Sequence, residues 1–148
     1  MALTKVTSNV LADNAVTTGK ILDSNVTTGK LATSSVTSVK VGTEFTTASA
    51  LTAAATIDVD YTAAQVFTLT PNANTTLNIT NPVIGVSKVI VVTGAGGTNT
   101  VGFTVGGVAG TFNRISGTYD DTAAAKNFIQ ITCLGATEFW YTISQIAV

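Results

Sequence analysis

An all-β chain is predicted: an extended N-terminal repeat stalk that is not a coiled coil, then an antiparallel β-sandwich or jelly-roll-like knob, assembled as a trimer. Three observations predict it. Residues 11–40 spell a decapeptide three times, LADNAVTTGK, ILDSNVTTGK and LATSSVTSVK. From about residue 54, apolar and polar residues alternate with period two in short runs bounded by Gly, Pro, Asn and Asp. Thr supplies 29 of the 148 residues, and its β-branched side chain suits a pleated surface without adding charge. The domain plan is a stalk and attachment region at 1–42, a transitional segment at 43–53 and the knob at 54–148.

In the stalk the apolar columns are Leu11, Ile21 and Leu31, and Val16, Val26 and Val36. Thr17, Thr27 and Thr37 recur with them, as do Lys20, Lys30 and Lys40. Fixed-period self-similarity of this kind marks a stacked or fibrous architecture, because one copy cannot bury its own apolar residues. A coiled coil requires apolar residues about every 3.5 positions, whereas these fall five apart. On one uninterrupted strand a spacing of five would place successive apolar residues on opposite faces. Short extended pieces broken at Asp13-Asn14, Asp23-Ser24 and the Gly-Lys pairs restore a common direction, since these residues accept turn geometry. Three chains around an axis would then bury Leu11, Val16, Ile21, Val26, Leu31 and Val36 and leave Lys and Asp in water. The competing reading is a flexible Thr/Ser-rich linker.

Between stalk and knob, Ala48 to Ala55 is the candidate for one helical turn. The knob begins with Ile57, Val59 and Tyr61 alternating with Asp58 and Asp60. Phe67 and Leu69 follow, then Leu77 and Ile79. Val89-Ile90-Val91-Val92 is apolar on both faces and reads as a central strand. Val101, Phe103 and Val105 share one face, as do Ile129, Ile131 and Cys133, and Phe139, Tyr141 and Ile143. Turn signals at Pro71-Asn72, Asn81-Pro82, Gly94–Gly97, Gly106-Gly107, Gly117, Tyr119–Asp121 and Gly135 separate them. Seven or eight short strands with this spacing predict two packed sheets.

Charged residues are only 10% of the chain and the net charge is −1, against about 25% charged in ordinary domains. A surface so poor in charge predicts extensive burial between subunits, and offers no electrostatic footprint for nucleic acid. The longest strongly apolar run, 89–92, is far below the ~20 residues of a membrane helix. MALTKVTSNV has no apolar core of a secretory signal, so synthesis in a cytoplasm is expected.

The inventory for chemistry is thin. Histidine is absent and Cys133 is the only cysteine, which removes the commonest general base and the usual soft-metal ligands; Cys133 reads as a small buried hydrophobe. Gly94-Ala95-Gly96-Gly97 follows a strand and leads to another, so it reads as a hairpin loop rather than a phosphate cradle, which would open a helix. Asp120-Asp121 is a solvated loop or a fragment of a calcium site. Asp58 and Asp60 read as charges guarding an edge strand. Trp140 and Tyr141 read as core residues, with sugar stacking as the alternative. No catalytic, cofactor-binding or metal-binding residue is assigned, no cofactor is expected, and the chain is not expected to be an enzyme.

LADNAVTTGK and ILDSNVTTGK resemble a repeat of bacteriophage fibre proteins, in which units of the form L-A-D-x-A-V-T-T-x-K run in tandem; LATSSVTSVK departs at the Asp and Gly positions, as at the end of a stalk. The knob is similar to a small C-terminal module of phage fibres, through Phe67-Thr68-Leu69-Thr70, Asn74–Ile79, Gly85 before 89–92, the Gly96-Gly97 turn, Val101-Gly102-Phe103 and Phe139-Trp140-Tyr141. The resemblance implies a homotrimeric protein of the virion surface. Its N-terminal region would be held by another virion protein of tail or capsid, and its knob would meet the host surface, with carbohydrate as the candidate ligand. A capsid decoration or head fibre is the alternative within that class. A carbohydrate-binding adhesin module is the alternative outside it. No residues of a ligand-contact loop are assigned.

Overall fold

The computed structural model describes residues 16–17, 19, 21, 25–32, 35–37 and 40–146. The chain divides into two units, Met1–Thr37 and Ser38–Val148. In the first, the described residues form bends and 3-10 structure, at Gly19 and in the turn Thr28–Lys30, with no strand among them. The turn falls at a Gly-Lys break of the decapeptide, where the Lys30 N–H donates to the Thr27 carbonyl at 2.9 Å. Leu11, Asp13, Lys20 and Asp23 lie outside the described residues.

The second unit opens on a single helical turn α1 (Thr43–Thr46), followed by β1 (Ala48–Ala50), β2 (Thr56–Asp60), β3 (Val66–Leu69), β4 (Thr75–Thr80), β5 (Ser87–Thr93), β6 (Val101–Val105), β7 (Thr111–Ser116), β8 (Lys126–Cys133) and β9 (Glu138–Ile146). The helical turn thus precedes its expected place, and Ala48–Ala50 is a strand instead. Thr47 causes the switch. Its hydroxyl donates to the Thr43 carbonyl at 2.8 Å, closing the turn, while its own carbonyl accepts the Gln65 and Val66 N–H groups and starts the pairing of β1 with β3.

The unit is all-β, but it is solenoid-like rather than the expected antiparallel sandwich or jelly roll. Strands β1 to β6 alternate between a six-stranded sheet, ordered β1-β3-β5-β8-β9-β7, and a three-stranded sheet, ordered β2-β4-β6. Neighbours in the wound part are parallel: β1 with β3, β3 with β5, β2 with β4, and β4 with β6. Each parallel crossover passes through a strand of the opposite sheet instead of a helix, which satisfies the need of parallel pairs for a long return path. Only β8 breaks the pattern, lying antiparallel to β5 and β9, and β7 closes the sheet parallel to β9. The misreading has a definite cause. Period-two alternation is identical in parallel and antiparallel strands, and a Gly or Asn link marks a bend without saying which sheet receives the chain.

The winding stacks inward side chains in register. Ile57 aligns with Leu77 and Phe103, and Val59 with Ile79 and Val105. In the facing sheet Phe67 aligns with Ile90, Ile129 and Ile143. Val59, Leu77, Ile79, Ile90, Ile129, Ile131 and Phe139 are fully buried, each contributing about 1.5–3 kcal/mol relative to exposure. At one end aromatic rings fill the gap between sheets: Phe112 stacks on Phe139 at 4.9 Å and on Phe103 at 5.4 Å. Tyr61 meets Phe139 edge-on at 6.4 Å.

Candidate functional site

Of the six residues assigned to the oligomeric stalk, five are described, and all five are exposed. Val16, Ile21, Val26, Leu31 and Val36 are 44–58% accessible in the single chain; Leu11 lies outside the described residues. Apolar side chains at every fifth position thus stay wet, whereas the inward aliphatics of the knob's strands, such as Val59, Leu77 and Ile90, are dry.

The glycine segment 94–97 is not a hairpin; it arches from β5 in one sheet to β6 in the other. Asp121 holds it. The carboxylate accepts N–H groups from Ala95 at 3.0 Å, Gly97 at 3.2 Å and Asn99 at 2.8 Å, and the Tyr119 hydroxyl at 2.8 Å. A Cβ on Gly94 would stand 2.1 Å from the Thr122 carbonyl oxygen, so only glycine lets the two loops approach. The backbone donors, led by that of Ala95, hold the Asp121 carboxyl down at about 2 against the opposing cost of burial. Asp120 faces elsewhere and caps the Thr122 N–H at 2.8 Å. Buried Asn127 completes the clamp, donating to the carbonyls of Asp120 and Val92 and accepting the Asp120 N–H. The Asp120-Asp121 pair is therefore a loop fastener.

Lys88 is the charge that inward parity with Ile90 and Val92 would have exposed, and the sequence reading passed over it. It is fully buried. Its ammonium donates to the Glu44 carbonyl and lies 5.4 Å from the centre of the Phe45 ring and 5.7 Å from that of Tyr61, a cation–π arrangement. Burial pushes its pKa down, and the charges of Glu44 and Asp60 partly restore it. The side chain ties α1 to the solenoid interior. Cys133 is buried as expected, its thiol donating to the Gly135 carbonyl at 3.2 Å and pushed up in pKa by burial.

The two outward sheet faces differ. On the small sheet Asp58, Asn78 and Thr104 form a polar row: the Asn78 amide donates to Asp58 at 2.7 Å, and its oxygen accepts the Thr104 hydroxyl and the Gly107 N–H. Asp58 and Asp60 do lie on an edge strand, where Asp60 also caps Thr62 and accepts the Asn81 amide. On the large sheet the outward face carries Trp140, 46% exposed, and Phe128, 43% exposed. Trp140 is therefore not a core residue, whereas Tyr141 turns inward and meets Phe103 at 4.9 Å. A shallow hollow of about 410 Å3 lies among Ala50, Leu51, Thr68, Leu69, Thr70 and Thr93, without a charged or nucleophilic group beyond hydroxyls.

Among the described residues no three His, Cys, Asp or Glu side chains gather around a point that would hold a metal ion, and none of the helices is long and apolar enough to cross a membrane. The arrangement offers surfaces for contact: exposed aliphatic residues in one unit and a broad sheet face with few charges in the other. No family model, no curated protein and no solved structure matches the chain.

Proposed function

We propose that the chain is a structural protein of the bacteriophage surface, a short homotrimeric fibre anchored to another virion protein through its N-terminal region and meeting the host surface with its solenoid-like knob. The observation that carries this reading is the wet aliphatic stripe Val16, Ile21, Val26, Leu31 and Val36, set in decapeptides that resemble those of phage fibres. An apolar column repeated every five residues stays soluble when identical columns from other chains cover it. The knob supports the reading in a different way, since its winding supplies a self-contained body with broad faces.

Light scattering on the purified full chain tests the assembly, with three times the chain mass expected and a stable monomer at micromolar concentration overturning it. Removing residues 1–40 tests the anchor: the truncated protein is expected to stay off particles, and normal incorporation would reduce the repeat to a spacer. Gold labelling on particles then separates a tail fibre from a fibre or decoration on the capsid.

A further inference from the structure

We infer that the outward face of the six-stranded sheet, centred on Val91, Phe128, Gln130 and Trp140, is the surface through which copies of this chain pack on one another. The inference rests on the oligomeric reading above and names the knob surface that it uses.

Parity and register define the face. Val89 aligns with Gln130 and Thr142, Val91 with Phe128 and Ser144, and Ser87 with Thr132 and Trp140. All point away from the core. Lys126 beside Thr93 stands at one end of the face, and Glu138, whose carboxylate accepts the Trp140 indole N–H, at the other. The two rows between them, Val89–Gln130–Thr142 and Val91–Phe128–Ser144, carry no charge. Aromatic enrichment with charge depletion is the composition of an interface centre.

Several polar groups on the face are already partnered within it. Ser87 and Thr132 share a hydroxyl hydrogen bond at 2.7 Å, and Ser116 and Thr142 share one at 2.6 Å. The Trp140 indole N–H donates to Glu138 at 3.0 Å, and Lys126 donates to the Thr93 hydroxyl at 2.7 Å. Groups satisfied in this way cost little to dry. A carbohydrate would find the indole N–H and these hydroxyls already engaged, which favours a protein surface over a sugar.

The size also fits. Six strands spaced about 4.8 Å apart and averaging about 20 Å, from three residues in β1 to nine in β9, present roughly 600 Å2 in projection. That is of the order of the ~800 Å2 that one partner gives to a stable interface. In an assembly already tethered through the stalk, the copies are held at high effective concentration.

Trp140 is the only tryptophan, so its fluorescence reads the face directly in the full chain. In the assembled protein we expect blue-shifted emission and acrylamide quenching several-fold weaker than in Val91→Lys, whose new charge lies on the face and outside the core. Val91→Lys should unfold at nearly the wild-type temperature while its Trp140 becomes freely quenched. An assembly of the expected mass with Trp140 freely quenched in the wild type would overturn the face and leave the fibre reading standing. A monomer with exposed Trp140 would overturn both. Shielding of Trp140 that appears only on adding a soluble envelope oligosaccharide, with mass unchanged, would reassign the face to carbohydrate.

Discussion

The two units of this chain invert the usual relation between repeat and fold. Met1–Thr37 contains most of a threefold decapeptide, yet its described apolar residues are about half exposed. Ser38–Val148 has no sequence repeat that the eye can find, yet it winds three parallel layers and buries the inward aliphatics of its strands, leaving others such as Ile84, Val108 and Ile115 exposed. Regular sequence here marks residues that a single chain leaves exposed. Irregular sequence marks a body whose layers each solve a different packing problem within one chain.

The sharpest way to break this contrast is to weaken one unit and read the other. Ile21→Ser removes one apolar side chain from the stripe in every copy. Covering such a residue is worth about 2 kcal/mol per chain, so a trimer should lose about 6 kcal/mol of assembly free energy, seen as a shift in the concentration dependence of mass. Unfolding of the knob, followed by circular dichroism at fixed denaturant, should not move. A parallel loss of knob stability would show that the two units are not energetically separate.

Phe139→Ala makes the converse test. The ring is fully buried between Phe112 and Tyr61, and truncation should cost about 3–5 kcal/mol in denaturant unfolding. The loss should be independent of protein concentration. A loss that disappears at high concentration would mean that the knob borrows its core stability from other copies.

Legibility from sequence follows the same division. The runs at Ile57, Phe67, Leu77, Val89, Val101, Ile129 and Phe139 all became strands with one face on the core, and alternation records that face in all but Val89–Val92, which is apolar on both. β7 was missed because it is a bulged edge strand, exposed on both faces except at Phe112, and leaves no alternation to read. β1 was missed because three small residues carry no period. Sheet assignment was invisible for a different reason: the order β1-β3-β5 beside β2-β4-β6 depends on where each link lands, and the links resemble hairpin turns. Asp121 was noticed only as half of an acidic pair. Its role depends on three N–H groups more than twenty residues away, a relation that exists only after folding. Lys88 and Trp140 were legible by parity alone, one inward and one outward.

Asp121→Asn should come third in size. Replacing a carboxylate that accepts three backbone N–H groups and a phenol by a neutral amide should cost about 2–3 kcal/mol at pH 7. The pH profile carries the sign. The folded carboxyl is held down at about 2 from the ordinary 3.8, so its contribution is full above about pH 4 and is lost as pH falls towards 2. The wild-type protein should lose stability steeply across that window, and the variant more gently. Equal acid slopes in urea titrations would remove Asp121 from the account of how the glycine arch is held.

The smallest expected effect asks whether a charge inside the knob is a tie or a burden. Lys88→Met keeps most of the buried stem and removes the ammonium together with its bond to the Glu44 carbonyl. Swapping a buried ion for an apolar chain of similar volume is often neutral or better, so the stability of the solenoid should change by about 1 kcal/mol or less. The pKa of Lys88 is lowered in the fold, which means that the unfolded chain binds more proton between that lowered value and about 10.5. Wild-type stability should therefore carry a term that rises with pH through this alkaline window, and Lys88→Met should lack it. Hydrogen exchange separates the two roles. If Lys88 is a tie, the amides of Phe45 and Thr47, which donate to the Gly42 and Thr43 carbonyls, should exchange faster in the variant while those of β5 remain as slow as before. Unchanged exchange at both places would leave the helical turn held by the Thr47 hydroxyl alone.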